Sequence, residues 1–249
     1  MRKRITVLVA AAALVLVLAS LALAQSPAAR WRVETALYYI ANGWVAEAIE
    51  HLQQAVKLAP GDAEAQLLLA LAAHSVGDVE QALAAYERLQ ELAPESAPYG
   101  VLMGDIYLSL GRLDEAQAAY EQALQHFPDS GLAHYGLGLV LEARGDAAAV
   151  DALRAATTHA PDLVEARLHL GRLLRVNGQL EEALVHLQHA SRLDGRRADV
   201  RLELALVYEA LQRPADAERE FRMVLRLDPT NEEASLGLQR LMEAARANT

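Results

Sequence analysis

The sequence of 249 residues contains no cysteine. This absence excludes a lipid-modified N-terminal cysteine, a disulfide framework, thiol catalysis and a zinc–thiolate site together. Aromatic residues make up only 5% of the chain, although 53% of it is hydrophobic. Small and aliphatic side chains must therefore form the core, which favours closely packed helices. Packing alone has to hold such a fold together.

Motifs of common enzyme classes are also missing. The sequence has no G-x-S-x-G motif, no phosphate-binding glycine loop and no H-E-x-x-H motif. His186 and His189 are spaced to share one helix face, but no third metal ligand is placed by spacing. Acidic pairs such as Asp114-Glu115 follow turns, where the helix dipole favours them without a catalytic role. We therefore predict no enzymatic activity, no metal site and no cofactor.

Basic residues are outnumbered by acidic ones. Lys and Arg number 23 against 33 Asp and Glu, for a net charge of −10. Three of the bases lie together at Arg2-Lys3-Arg4, so the remaining chain is more acidic than the total suggests. An acidic surface repels phosphate backbones and anionic lipid headgroups. We expect no nucleic-acid partner.

Only one long apolar run occurs, and it follows Arg2-Lys3-Arg4 at residues 5–24. A basic segment followed by an apolar one is typical of an export signal. Small residues at Ala22 and Ala24 suit cleavage after Ala24, whereas twenty helical residues at about 1.5 Å each would also span a bilayer. We expect residues 1–24 to be a signal peptide or an N-terminal membrane anchor, and we favour cleavage.

The topology is the same in both cases. Bases at the start of an apolar segment stay on the cytoplasmic side. The chain from residue 25 onward is therefore expected to be extracytoplasmic, in the periplasm, in the cell envelope or secreted. Membrane contact is expected only through residues 5–24, if they are not removed.

A stretch that runs from Gly111 to Pro128 recurs along the chain with a period of about 34 residues, the length of one helix-turn-helix unit. Five copies have glycine at the turn, and the sixth has Gln212. Shortly after each turn stands an alanine: Ala48, Ala82, Ala116, Ala149, Ala183 and Ala217. Seven residues before each turn stands another small residue: Ala36, Ala70, Gly104, Gly138, Gly171 and Ala205. Small side chains at both places let two antiparallel helices approach closely, and a leucine there would overpack the contact.

In spacing and residue types, residues 29–231 resemble the tetratricopeptide repeat family. The family's tryptophan early in the first helix is absent, and its place is taken by Arg32, Gln66, Gly100, His134, Arg167 and Arg201. The resemblance implies an all-α fold, a right-handed superhelical solenoid over residues 25–249. We predict six units at 29–62, 63–96, 97–130, 131–163, 164–197 and 198–231, followed by a C-terminal capping helix at 232–247.

The resemblance also implies a concave groove lined by the first helices. Rows ten, six and three residues before the turns should run along it. The candidate partner-binding residues from these rows are Leu37, Leu71, His74, Asp105, Leu108, Tyr135, Leu139, Arg172 and Leu206. Part of this surface, the first row above all, is equally explained as packing between helices.

Two arginines of these rows receive different predicted roles. Arg175 falls in one row with Glu142 and Glu209, so it is expected to pair with them. Arg172 has aliphatic neighbours in its row, so one hypothesis is that its guanidinium is unpaired and grips a partner's carboxylate. The alternative is that Arg172 is solvated or reaches Glu165 or another nearby acid.

Aromatic residues concentrate in the first unit: Trp31, Tyr38, Tyr39 and Trp44. The simpler interpretation is that they pack and cover the open N-terminal end of the array. If the anchor is retained, they could instead rest at the bilayer interface.

These observations predict a non-catalytic scaffold outside the cytoplasm that binds a protein or peptide segment of unknown identity in its groove. One alternative is an accessory or carbohydrate-binding subunit of envelope polysaccharide or secretion machinery. Another is a structural array that associates with itself.

Overall fold

The computed structural model describes residues 26–92 and 99–247 of the chain. These residues form thirteen α-helices and no strand, so the predicted all-α helical repeat is confirmed. The helices are α1 (Pro27–Ala41), α2 (Val45–Leu58), α3 (Ala63–Ser75), α4 (Val79–Leu92), α5 (Tyr99–Ser109), α6 (Leu113–His126), α7 (Gly131–Ala143), α8 (Ala149–His159), α9 (Val164–Val176), α10 (Leu180–Leu193), α11 (Ala198–Ala210), α12 (Pro214–Leu227) and α13 (Glu232–Ala247).

The helices group into two compact units. The N-terminal unit ends at Gly111 and the C-terminal unit begins at Arg112. In the N-terminal unit, α1 pairs with α2 and α3 with α4, while α5 packs on α4. In the C-terminal unit, α6 packs on α7, the pairs α7/α8, α9/α10 and α11/α12 follow, and α13 packs on α12. Each unit is thus a stack of antiparallel helix pairs.

The export segment predicted at residues 1–24 lies outside the described residues. Within the part of the chain that the structure describes, no helix combines the length and the apolar character that a membrane span needs.

The turn residues end the first helices as the sequence predicts. The glycines at the turns have φ between +69° and +79°, the left-handed region in which glycine carries no steric penalty. Gln212 takes the same conformation at φ 56°, so the repeat retains the turn geometry without the residue that suits it best. Ser26 occupies the N-cap position before Pro27, but its side chain makes no capping hydrogen bond. Proline at the first position already removes one donor that would need a cap.

Every predicted small residue on both sides of the turns is buried. At Gly171 an added Cβ would lie 2.5 Å from Cγ of Leu187, which is inside van der Waals contact. At Gly136 it would meet the ring of Tyr120, and at Gly237 the ring of Phe221. A bulky aromatic side chain on a second helix is thus matched by glycine on the following first helix.

The place of the family's tryptophan is used differently here. The Arg167 guanidinium donates through Nε to the carbonyl of Pro161 at 2.6 Å. The Arg201 guanidinium likewise donates to the carbonyl of Gly195 at 2.8 Å and to Glu220 at 2.7 Å. Both arginines therefore tie the loop that enters a first helix to that helix, a hydrogen-bonding role in place of the packing of an indole ring.

Asn231 caps the C-terminal helix α13, since its side-chain oxygen accepts from the backbone N–H of Ala234 at 2.9 Å. Gln239 is exposed. Leu236 and Met242 are exposed as well. The cap therefore keeps an apolar surface in addition to its polar one.

The tight helix contact can be tested at Gly171. We expect Gly171→Ala to lower the free energy of unfolding by about 1–3 kcal/mol, because the methyl group overpacks against Leu187 and outweighs the gain in helix propensity. Gly61→Ala is the matched control, since an added Cβ there meets nothing within 4 Å. Chemical denaturation of both variants measures the difference, and an equal loss would contradict the proposed contact.

Candidate functional site

The candidate groove residues divide between the two units. In the N-terminal unit, Leu37 on α1 and Leu71 on α3 stand 34 positions apart, which is one repeat. Their side chains are 41% and 46% exposed. His74 is also exposed. Two leucines at equivalent positions of successive first helices thus remain open to solvent, although leucine is among the residues most often buried.

A cavity of about 440 Å³ opens beside Leu37. Val33 contributes from α1, and the start of α3 contributes Asp62 and Glu64. The cavity lies where the loop from α2 enters α3, so the repeat geometry itself creates it. We call this cavity together with Leu37 and Leu71 the leucine surface.

The polar rim of the leucine surface is mainly acidic. Arg30 donates to Glu34 at 3.2 Å, and both side chains are largely exposed. The Asp62 carboxylate accepts from the backbone N–H groups of Glu64 and Ala65 at 3.0 and 3.2 Å, and so caps α3. Glu64 is exposed. An exposed carboxylate beside open apolar surface favours a partner that has both apolar and basic side chains.

Asp105 and Leu108 lie on α5 of the same unit. Asp105 is exposed and Leu108 is half-buried. These two residues occupy the predicted rows, but Leu108 is less accessible than the leucines of α1 and α3.

The C-terminal unit uses the same rows mostly for packing. Tyr135 is half-buried, lies edge to face with His169 at a ring separation of 5.8 Å, and packs on the core. Leu206 packs against the same core, which contains Leu170, Val200 and other buried side chains. Leu139 is half-buried. The interpretation of these rows as helix packing therefore holds in this unit better than it does around Leu37.

Arg172 is not unpaired. Its Nε donates to Oε1 of Glu203 on α11 at 2.7 Å, and the Glu203 side chain is almost fully buried. The hypothesis of a guanidinium free to grip a partner's carboxylate is therefore wrong, and the alternative of a nearby acid is right. That acid is not Glu165, which accepts from Arg197 at 2.7 Å.

Arg175 shares the same carboxylate, since its Nε donates to Oε2 of Glu203 at 2.9 Å. The predicted pairing of Arg175 with Glu142 and Glu209 is wrong. Glu142 lies 2.9 Å from His169, and Glu209 accepts two hydrogen bonds from Arg240 on α13 at 2.9 and 2.7 Å. Each acid thus has a basic partner two helices further along the chain.

Sequence reasoning missed Glu203 because its row was not among the three considered. It stands nine residues before the turn, in a row whose other members are Glu34, Leu68, Leu102, Gly136 and His169. Because this row mixes polar, apolar and tiny residues, the sequence carries no signal that Glu203 is buried. Its burial requires a charged partner, and Arg172 and Arg175 supply it.

The arginine pair can be tested by charge reversal. We expect Arg172→Glu to lower the free energy of unfolding by more than about 2 kcal/mol, because it sets a second carboxylate against buried Glu203. Arg222→Glu is the control, since Arg222 also pairs with an acid, Glu218, but is 67% exposed. Its loss should stay below about 1 kcal/mol. Similar losses in urea unfolding of the two variants would contradict the buried pair.

His186 lies beside an arginine. Its Nδ1 lies 3.4 Å from a guanidinium nitrogen of Arg167. Burial, and then the charge of Arg167, hold the pKa of His186 below its ordinary value. The nearby Glu182 carboxylate opposes this shift, and His189 adds to it. Among the described residues no group of three or more His, Asp or Glu side chains is arranged to hold a metal ion.

The lowered pKa of His186 predicts a pH dependence of stability. The unfolded chain binds this proton near pH 6.5, whereas the folded chain binds it only at lower pH. The unfolded state therefore binds more protons in this interval, and stability falls as the pH drops below about 6.5. We expect His186→Gln to lose less stability than the native chain between pH 7.5 and 5, as measured by urea unfolding at each pH. Parallel losses in the two proteins would refute a contribution from His186.

Comparison with known sequences finds matches along most of the chain. A family profile described as tetratricopeptide repeat matches residues 9–63, 33–97, 101–149 and 147–188. A second profile with the same description matches residues 177–241. No curated protein sequence is significantly similar to this chain.

Several solved structures have a similar fold. YrrB, described as a TPR protein with an unusual peptide-binding site, is 25% identical with a TM-score of 0.63, over 76% of this chain and 97% of its own. PilF from Pseudomonas aeruginosa is 18% identical with a TM-score of 0.70, over 88% of this chain and 98% of its own. A chain of the APC/C hetero-tetramer Cut9-Hcn1 is 21% identical with a TM-score of 0.63 over 86% of this chain, which spans only 42% of that longer one.

Proposed function

The chain belongs to the tetratricopeptide repeat family, whose fold supports protein interaction in general, and from this premise we propose that its leucine surface binds a segment of a partner protein. The observation that carries the proposal is the exposure of Leu37 beside the cavity that Val33 and Asp62 line, and of Leu71 at the equivalent position of the next first helix. Burial of both leucines by a partner would remove apolar surface from water, which is the main favourable term in most protein association.

The charge of the rim narrows the kind of partner. Glu34 and Glu64 line the cavity, and the chain as a whole is acidic. A segment that alternates apolar side chains with Lys or Arg would place the former on the leucines and the latter near these carboxylates. Charges at a rim contribute more to the rate of association and to specificity than to affinity.

YrrB supports a peptide as the ligand, because the description of that structurally similar protein names a peptide-binding site. A carbohydrate is a weaker candidate. Sugar binding would favour open aromatic platforms, and Tyr135, the one aromatic residue in the three rows, is half-buried against the core. The proposed function needs no catalysis, since the array only has to hold its partner.

The proposed setting is outside the cytoplasm. The support is the sequence of the first 24 residues, in which bases precede a long apolar run. A scaffold of this kind would meet its partner in the periplasm or the cell envelope.

A displayed library of random peptides tests the binding site without knowledge of the natural partner. We expect the immobilised protein to enrich peptides that contain apolar and basic residues. The double variant Leu37→Gln/Leu71→Gln should bind them at least about tenfold more weakly, or about 1.4 kcal/mol, because two apolar contacts are lost. Binding should also weaken as the salt concentration rises.

Leu58→Gln is the matched control, since Leu58 lies at the end of α2, away from the candidate rows, and is similarly exposed. It should leave affinity unchanged, and the melting temperature of all variants should stay close to that of the native chain. Equal losses in the two variants, or no enriched peptide, would contradict the proposal. If light scattering showed a concentration-dependent oligomer that the double variant abolishes, the leucine surface would serve self-association instead.

A further inference from the structure

The aromatic residues of the first helix pair do not form a buried cover. Trp31, Tyr38 and Trp44 are 55%, 60% and 49% exposed. Their rings nevertheless gather, since Tyr38 lies 6.3 Å and Tyr39 lies 5.8 Å from Trp44. Tyr39 stacks on His51 at 5.3 Å, and Trp31 meets the edge of the same imidazole at 6.0 Å. We call these four aromatic residues with His51 the aromatic end surface.

The position of this surface on α1 separates it from the leucine surface. Trp31 and Tyr38 are seven residues apart, which is two helical turns, so they share one face. Val33 and Ala36 on the other side of the helix are buried in the pair with α2. Large aromatic side chains gathered on the solvent face of a helix are unusual, and exposed apolar patches of this kind mark interaction sites.

We propose that the aromatic end surface lies in the lipid–water interface of a membrane and makes contact with lipid headgroups there. Trp and Tyr are enriched at this boundary because their rings are amphipathic, with an apolar body and one polar group. This contact would come in addition to the one expected from residues 5–24.

The chain that precedes α1 argues for a bilayer as the occupant. The apolar run ends at Ala24, two residues before Ser26, and two residues reach at most about 7 Å. If the run is retained as an anchor, the alternative to cleavage after Ala24, the first turn of α1 is tethered at headgroup level. Trp31 follows only one turn later, so the aromatic end surface would meet the interface without any linker.

The basic residues around Trp31 suit the same environment. Arg30 is largely exposed, and the Arg32 guanidinium lies over the Trp31 ring at 5.0 Å from its centroid. Guanidinium groups donate well to phosphate oxygens. The acidic net charge of the chain disfavours an anionic membrane, so a zwitterionic lipid such as phosphatidylcholine is the matching one.

Tryptophan fluorescence tests this directly, because Trp31 and Trp44 are the two tryptophans of the whole sequence and both belong to the surface. The full-length chain is reconstituted in phosphatidylcholine vesicles whose acyl chains are brominated either near the headgroup or near the bilayer centre. We expect a blue-shifted emission and strong quenching by the shallow bromines, with little quenching by the deep ones. Emission unaffected by bromines at either depth would overturn the proposal.

Two variants and one control separate lipid affinity from mere tethering. Tyr38→Gln should reduce the shallow quenching, whereas Leu58→Gln, an exposed apolar position outside the surface, should leave it unchanged. A flexible Gly/Ser insert between Ala24 and Pro27 should preserve the quenching, since the surface has its own affinity for lipid. Loss of quenching with the insert would mean that the tether alone brings the rings close, and blue-shifted emission in lipid-free detergent that depends on protein concentration would mean that the surface binds a second copy.

This proposal and the one for the leucine surface can fail independently. Tyr38→Gln should not change peptide binding, and Leu37→Gln/Leu71→Gln should not change the quenching.

Discussion

The close approach of paired helices is the constraint on which the rest of this structure depends. It requires a tiny residue on each side of the turn, and Ala36, Ala48, Gly171 and Ala183 are all buried where the two helices of a pair meet. With the backbones this near, larger side chains fit only against glycine or another small residue: Leu187 lies against Gly171 within its pair, and Phe221 lies against Gly237 of the following helix. The core is therefore a row of similar layers, each completed by the next pair, as repeat proteins require.

The same layering explains why the two units differ at equivalent positions. In the C-terminal unit the Glu203 carboxylate is almost fully buried, whereas Glu34 at the same position of the first repeat is exposed, and two arginines turn toward Glu203. The arginines of the candidate rows in this unit therefore form ion pairs within the protein. In the N-terminal unit the residues on α1 and α3 that are equivalent to Arg172 are Leu37 and Leu71. Neither side chain can pair with a carboxylate, and both remain exposed. A surface is available to a partner where the side chains of the repeat are not engaged in packing or ion pairs within the protein.

Replacement of the family's tryptophan follows a similar logic. An indole at this position would fill space by packing, whereas Arg167 and Arg201 fill it with hydrogen bonds to the loop six residues earlier. A guanidinium also brings positive charge into the core. The residue that faces it on the second helix is Glu220 for Arg201 and His186 for Arg167. Substitution at one place in a repeat thus requires a matching residue at another.

By itself, the sequence determined the repeat, the helices and their turns, because period, small residues and glycines are local signals that act through backbone geometry. It also placed Leu37 and Leu71 on the surface that the fold leaves accessible. Only the tertiary structure decided which charges meet. Arg172 and Glu203 are about one repeat apart in the sequence. The distance between their side chains depends on how successive helix pairs stack, and a comparison of equivalent positions in each repeat does not give that distance. The exposure of the aromatic end surface also became known only from the tertiary structure. The sequence pattern of these aromatic residues is the same whether or not a neighbouring helix covers them.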